Sequence, residues 1–204
     1  MESSLSLDGR YFIRHMEPAD IQQALEVEQE ALPTIAPQIS LRHEYRKQGV
    51  RYLVAVRNES PGQSFILRTI PLNKILRWLW GLPTPKLEDY VVGFIGITRV
   101  IDEIHVLTFG VRTDFRKQGI GELLMIAAID QSIEQGAELI TLEVRQSNTA
   151  AINLYNKYGF MKKGVRRRYY TDNREDALIM TADRIQYREY QTNFKRRKRG
   201  YSLC

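Results

Sequence analysis

The most constraining stretch of the chain is VLTFGVRTDFRKQGIGELL, Val106 to Leu124. An alternating β-rich run ends in a polar loop, and the loop passes through Gly119 and Gly121 into an apolar-periodic segment. A strand that feeds a helix in this way gathers the helix's unpaired N–H groups and partial positive charge at one point. Glycines let a ligand come close to the backbone there. Arg116 and Lys117 add charge, so the expected occupant is a pyrophosphate or a similar anion. The spacing is neither the G-x-x-x-x-G-K-S/T of Walker NTPases nor a full G-x-G-x-x-G dinucleotide fingerprint. Read alone, R-x-x-G-x-G also fits a tight turn with a solvated basic rim.

The flanking segments place this loop in a larger pattern. YFIRHM (Tyr11 to Met16) reads as a strand, and EPADIQQALEVEQEAL as a helix opened by Pro18 and Asp20, with Ile21, Leu25 and Leu32 near one stripe. SLRHEYRKQG reads as a short helix stopped by Gly49, and RYLVAVRN as a strand. YVVGFIGITRV and EIHVLTFGV are two β-rich runs around a turn at Ile101-Asp102. ELLMIAAIDQSIEQG is a helix closed by Gly136, LITLEVR a strand, and NTAAINLYNKYG a helix with Asn148 as N-cap and Gly159 as stop. FMKKGVRRRYY and DALIMTADRI are two final strands around TDNRE. The βαβ passage through residues 103–145 favours a central parallel pair, and the other neighbours favour antiparallel pairing. The fold class is α/β: a mixed sheet with helices on both faces. Gly110 inside its strand marks a bulge or a close approach by another backbone or a ligand; a bulge here would splay this strand from LITLEVR and open a wedge for an elongated ligand.

Composition limits the alternatives. The 204 residues are 43% hydrophobic and 26% charged, which suits one sizeable soluble domain. No apolar run is long enough to span a bilayer, and MESSLSLDGR lacks a signal-peptide core. Cys204 is the only cysteine, so no internal disulfide or cysteine metal cage is expected, and a reducing, cytoplasmic location is favoured. His15, His43 and His105 lack metal-ligand spacing, and no metal is expected.

LEVRQSNTAAINLYNKYGF (Leu142 to Phe160) carries an acid and a phenol on adjacent elements. In LITLEVR, Ile140, Leu142 and Val144 share one face, and Glu143 points to the other. A carboxylate and a tyrosine meeting at one centre can accept and donate a proton. The plainer reading is a wet strand face for Glu143 and a core aromatic for Tyr155, which is followed by Tyr158 and Phe160. His105 is a further candidate base, with a partly buried strand residue as its plainer reading.

In combination, R-x-x-G-x-G, L-E-V-R-x-S-N-x-A-A-I-x-L-Y-x-x-x-G-F, and R-R-x-Y-Y before a turn and E-D-A resemble the GNAT-fold acetyltransferases. The likeness is nearest to the RimI type, the ribosomal-protein-alanine N-acetyltransferases. It is dense over residues 90–182 and loose over 10–58. It implies a GNAT fold with a mostly antiparallel mixed sheet and a splayed parallel pair, and acetyl-CoA as acetyl donor. It also implies pairing of the Phe109, Gly110 and Val111 main chain with the pantetheine arm. The loop Arg116, Lys117, Gln118, Gly119, Ile120, Gly121 and Glu122 would wrap the pyrophosphate, and Asn148 would touch the cofactor. Glu143 takes the place of the general base and Tyr155 that of the general acid. The implied acceptor is a protein or peptide N-terminus, with a ribosomal protein or the ribosome surface as a partner and no DNA.

RRRYYTDNREDA is expected to form a hairpin lip where Tyr169 and Tyr170 grip the acceptor backbone or simply pack. Asp172, Glu175 and Asp176 either receive a positively charged terminus or cap the turn. Residues 1–185 are read as a single GNAT acetyltransferase domain, with 59–89 as an insertion between two sheet strands. LNKILRWLWGL within it can form an amphipathic helix, Leu72, Ile75, Leu76 and Leu79 inward and Trp78 or Trp80 at a rim, for a sheet edge, a partner or a peripheral membrane contact. Residues 186–204 are read as a basic tail: KRRKRG supplies much of the net charge of +6 and reads as frayed and solvated or as a contact for RNA, a ribosomal surface or an acidic membrane. Lysine or small-amine acetylation, and a CoA-binding, ribosome-associated module without turnover, are the alternative functions.

Overall fold

The computed structural model describes residues 5–31, 41–45, 47, 49–57 and 90–201. The 59–89 insertion with its tryptophans, and Cys204, lie outside the described residues. Eight strands form one sheet in the order β1-β2-β3-β4-β5-β6-β8-β7. They are β1 (Ser6–Leu7), β2 (Tyr11–His15), β3 (Val50–Arg57), β4 (Tyr90–Val100), β5 (Glu103–Val111), β6 (Leu139–Arg145), β7 (Met161–Arg166) and β8 (Ala177–Ala182). Among the described residues only β5 and β6 pair in parallel. The helices are α1 (Ile21–Ala31), α2 (Leu41–Glu44), α3 (Ile120–Glu134), α4 (Thr149–Lys157) and α5 (Arg188–Lys198). The GNAT fold expected from the motifs is the one observed, with helices against both faces of the sheet.

One face packs against α3. Leu123, Leu124, Met125, Ile126 and Ile129 are buried there with Ile95, Ile104, Ile140 and Leu142 of the strands. Each such side chain removed from water contributes about 2 kcal/mol before entropy is counted. The apolar residues of α3 run round the helix, which requires cover on its outer side as well. The C-terminal segment helps provide it. Residues 186–204, expected as a basic tail, include helix α5, whose Phe194 is buried in the same core, and Lys198 pairs with Asp130 of α3. The spacing of Tyr190 and Phe194, four residues apart, was the available signal, and the run of Lys and Arg beside it hid it.

The other face carries α1, with Ala24 and Val27 buried against Tyr52, Val54, Val56, Val91 and Phe94. Gly110 is explained here. A Cβ on it would lie 3.1 Å from the Ala31 Cβ, so it is small because α1 crosses close to β5. The bulge expected at Gly110 is instead at Leu107: Ile97 pairs with Val106 and Gly96 with Thr108, leaving Leu107 as the extra residue. Parallel pairing of β5 with β6 ends at His105↔Thr141, just before it, so the two strands separate from there on.

The hairpin lip is shorter than the sequence suggests. β7 ends at Arg166, and residues 167–176 form a loop with Arg168 and Arg174 in the left-handed region (φ 52° and 57°). Among the helix boundaries, Asn148 caps α4 by accepting a hydrogen bond from the Ala151 N–H at 3.2 Å, and Gly159 ends the turn after it at φ 83°.

Candidate functional site

A cavity of about 430 Å³ occupies the gap between β5 and β6. Its walls include Thr108 and Phe109 from β5, Glu143 from β6, Tyr155 from α4, and Tyr169 and Tyr170 from the loop after β7. The separation of the two strands lets side chains from both sheet faces reach one space. Glu143 comes from the α1 face, because Ile140, Leu142 and Val144 point into the α3 core. Tyr155 comes from the α3 face, where it packs against Phe109 and Phe160 with ring centroids 6.4 and 5.8 Å apart.

The Glu143 carboxylate has two partners. Its Oε2 lies 2.7 Å from His105 Nε2, and its Oε1 lies 2.9 Å from Arg166 Nη2. Burial raises the carboxyl's pKa, but the hydrogen bond and charge of His105 and the charge of Arg166 outweigh it and hold the group below its ordinary value. Glu143 is therefore ionised at neutral pH, with a path to the half-exposed imidazole. The His105–Glu143 pairing follows from adjacency on parallel strands, and neither residue's own segment signals it. The Tyr155 phenol is pushed up by burial and then by the nearby Tyr170, so it carries its proton at neutral pH. Among the described residues no protein group hydrogen-bonds its hydroxyl.

The lip is held by Arg145. Its guanidinium sits 3.8 Å over the Tyr170 ring and pairs with Asp172 at 2.9 Å and Glu175 at 3.3 Å. Glu175 also accepts the Ser147 N–H at 2.7 Å, and hydrogen bonds from Ser147, Asn173 and Arg145 pull its pKa down to about 2. Asp176 accepts the Arg168 N–H at 2.8 Å. Of the two readings of these acids, capping of the turn is what they do; Arg145 and the loop occupy the carboxylates offered for a charged terminus. Tyr169 and Tyr170 meet edge to face at 5.3 Å, and both border the cavity.

The loop from Arg116 to Gly119 leads into α3. Lys117 and Gly119 adopt left-handed φ values of 59° and 83°, and α3 begins at Gly119 without a side-chain cap. Its first N–H groups thus have no side-chain cap, and a helix start of this kind can hold an anion. The side chains are less available than the backbone. Gln118 accepts from the Tyr11 hydroxyl at 2.9 Å, and Ile120 is buried. Glu122 is engaged by Lys157, by the Tyr158 hydroxyl at 2.6 Å and by Tyr201. Arg116 donates to the Val111 carbonyl at 3.2 Å. Gly121 packs near the Phe109 ring, which links this loop to the cavity; of the residues expected at a cofactor, Phe109 and Asn148 border the cavity itself. Among the described residues, the edge of β5 that faces β6 has no strand partner beyond His105, so the main chain of Phe109, Gly110 and Val111 is paired there on the β4 side alone.

With this geometry in view, the chain compares as follows with known proteins. Residues 68–160 match the acetyltransferase (GNAT) family. The chain is similar to the ribosomal protein bS18-alanine N-acetyltransferase of Escherichia coli (strain K12), 45% identical over 83 residues, which are 40% of this chain and 56% of that protein. The matched stretch thus spans little more than half of that relative. It is also similar to an N-alpha-acetyltransferase of Sulfurisphaera tokodaii, 32% identical over 184 residues, covering 89% of this chain and 99% of the relative. The crystal structure of the ribosomal-protein-S18-alanine N-acetyltransferase from Escherichia coli superposes with a TM-score of 0.63 at 26% identity, over 85% of this chain and 94% of that one.

Proposed function

The chain belongs to the GNAT family of acetyltransferases, and from that premise we propose that it moves the acetyl group of acetyl-CoA to a protein N-terminal α-amine. A ribosomal protein is the candidate acceptor, by likeness to the relatives named for that activity. The observation that carries the reading is that one ionised carboxylate and one protonated phenol, Glu143 and Tyr155, border a single cavity between separated parallel strands.

Acetyl-CoA supplies an activated acyl carbon as a thioester. The α3 N-terminus and the loop from Arg116 to Glu122 hold its diphosphate, the open edge of β5 at Phe109, Gly110 and Val111 pairs with its pantetheine arm, and Asn148 flanks it. The acceptor enters from the α1 face, between Ala31 and the tyrosines of the lip, Tyr169 and Tyr170. An α-amine has a pKa of about 8 and is largely protonated at neutral pH. Glu143 accepts that proton, and His105 passes it toward solvent. The neutral nitrogen then forms the C–N bond in a ternary complex, the C–S bond breaks, Tyr155 gives its proton to the departing thiolate, and the second proton that the nitrogen loses on becoming an amide passes to Glu143 and solvent, from which Tyr155 is reprotonated. Assistance of this kind contributes about 10²- to 10⁴-fold for each group. An ε-amine, with a pKa of about 10.4, needs stronger deprotonation than an α-amine.

The test is mass spectrometry on a peptide library with varied N-termini after incubation with acetyl-CoA. Acetyl on the first residue is expected; label confined to internal lysines overturns the α-amine reading, and acetyl-CoA binding with no label on any peptide supports a module without turnover.

A further inference from the structure

The α1 face holds two buried hydroxyls that the chemistry above does not use. Thr108 Oγ1 and the Tyr52 hydroxyl are both shielded from solvent, and neither has a hydrogen-bond partner among the described residues. A hydroxyl left in this state destabilises the fold unless a ligand pairs with it. The bulge at Leu107 aims Thr108 here. Ile104 and Val106 point into the α3 core, and after the extra residue Phe109 and Val111 do so instead. Thr108 therefore shares the α1 face with Gly110, and it borders the cavity. Tyr52 is its neighbour across β4. Gly96 pairs with both Tyr52 and Thr108, and a Cβ on Gly96 would lie 2.4 Å from the Tyr52 ring. The ring thus lies over Gly96, in the row that leads to Thr108.

We propose that Thr108, backed by Tyr52, hydrogen-bonds the first side chain of the acceptor and so selects N-termini that begin with a hydroxyl-bearing residue. This rests on the acceptor being a protein N-terminus. When the amine faces Glu143 on β6, the first side chain projects toward β5, where Thr108 borders the cavity with Tyr52 one strand behind it. A site that pairs with a substrate hydroxyl rejects the analogue lacking it, because its own polar groups are then left unpaired.

The experiment compares peptides identical except for Thr or Val at position one, which have the same shape. Wild type should favour Thr over Val in kcat/KM by about tenfold or more. Thr108→Val should bring that ratio close to one, and Tyr52→Phe should reduce it less. Thermal unfolding of Thr108→Val should begin no lower than that of wild type, since an unpaired hydroxyl has been removed. Equal use of Thr and Val by wild type, or an unchanged ratio in Thr108→Val, overturns the proposal while leaving N-terminal acetylation standing. Weaker acetyl-CoA binding in Thr108→Val also overturns it, because Thr108 would then serve the donor. Acetylation of no N-terminus overturns both readings.

Discussion

The two halves of β5 differ in how they are paired. From Glu103 to His105 the strand is paired on both sides, with β4 and in parallel with β6. From Thr108 to Val111 it is paired, among the described residues, with β4 alone, and Leu107, Thr108 and Phe109 border the cavity. One extra residue separates these regimes and also reverses which side chains enter the core. The first half stabilises the sheet through complete hydrogen bonding. The second gives up a row of hydrogen bonds and so presents peptide groups that a ligand can use.

Deleting Leu107 is the most severe way to break this comparison. Thr108 would turn into the α3 core and Phe109 out of it, and turnover and acetyl-CoA binding should both be lost. Leu107→Ala, which keeps the extra residue, should bind acetyl-CoA far better than the deletion. Calorimetry on the two variants, with circular dichroism to verify folding, decides this; wild-type binding by the deletion variant would remove the distinction between the halves.

Glu143→Gln follows, with a fall in kcat/KM of about 10³-fold, and Tyr155→Phe with about 10²-fold. Both should bind acetyl-CoA as wild type does. If both turn over at the wild-type rate, the two residues have been given the wrong roles.

A smaller effect concerns pH. Because Glu143 is held below its ordinary value, its carboxylate adds stability above the unfolded pKa of about 4.3, and that stability is lost as pH falls through the folded value. Removing a cation by Arg166→Met should let the carboxyl's pKa rise. The acid limb of kcat/KM then moves to higher pH, so activity at pH 5 relative to pH 8 falls.

Glu28 gives the mildest test, on the helix that crosses the second half of β5. Burial pushes its carboxyl up to about 7. A raised acid pKa means stability that is fully present below the unfolded pKa of about 4.3 and lost as pH rises through 7. Glu28→Gln should therefore stabilise the protein by about 2 kcal/mol at pH 8 and leave it unchanged at pH 4. Urea denaturation at the two pH values measures the difference.

Much of this molecule could be read without coordinates. The alternation of LITLEVR put Glu143 opposite the core residues, Asn148 and Gly159 marked both ends of α4, and the loop at Gly119 announced an uncapped helix start. These are local signals, fixed by φ, by capping and by a period of two, so the chain carries them segment by segment. The sequence alone also supplied the combination of motifs from which the fold followed. Gly110 was misleading for a physical reason: a glycine can mark a bulge or a close approach, and only the position of α1 shows that it is the latter.

What the tertiary structure alone decided are the relations between distant segments. His105 meets Glu143 across 38 positions, Arg145 meets the acids of the lip, and Glu122 is drawn to Lys157, Tyr158 and Tyr201 instead of standing free. The C-terminal helix joins the α3 core through Phe194 and pairs Lys198 with Asp130 of α3, a relation between segments far apart in the chain. Whether a charge is paired or a hydroxyl is orphaned depends on which strands become neighbours and where their register shifts. That information belongs to the packed sheet, and no single stretch of sequence contains it.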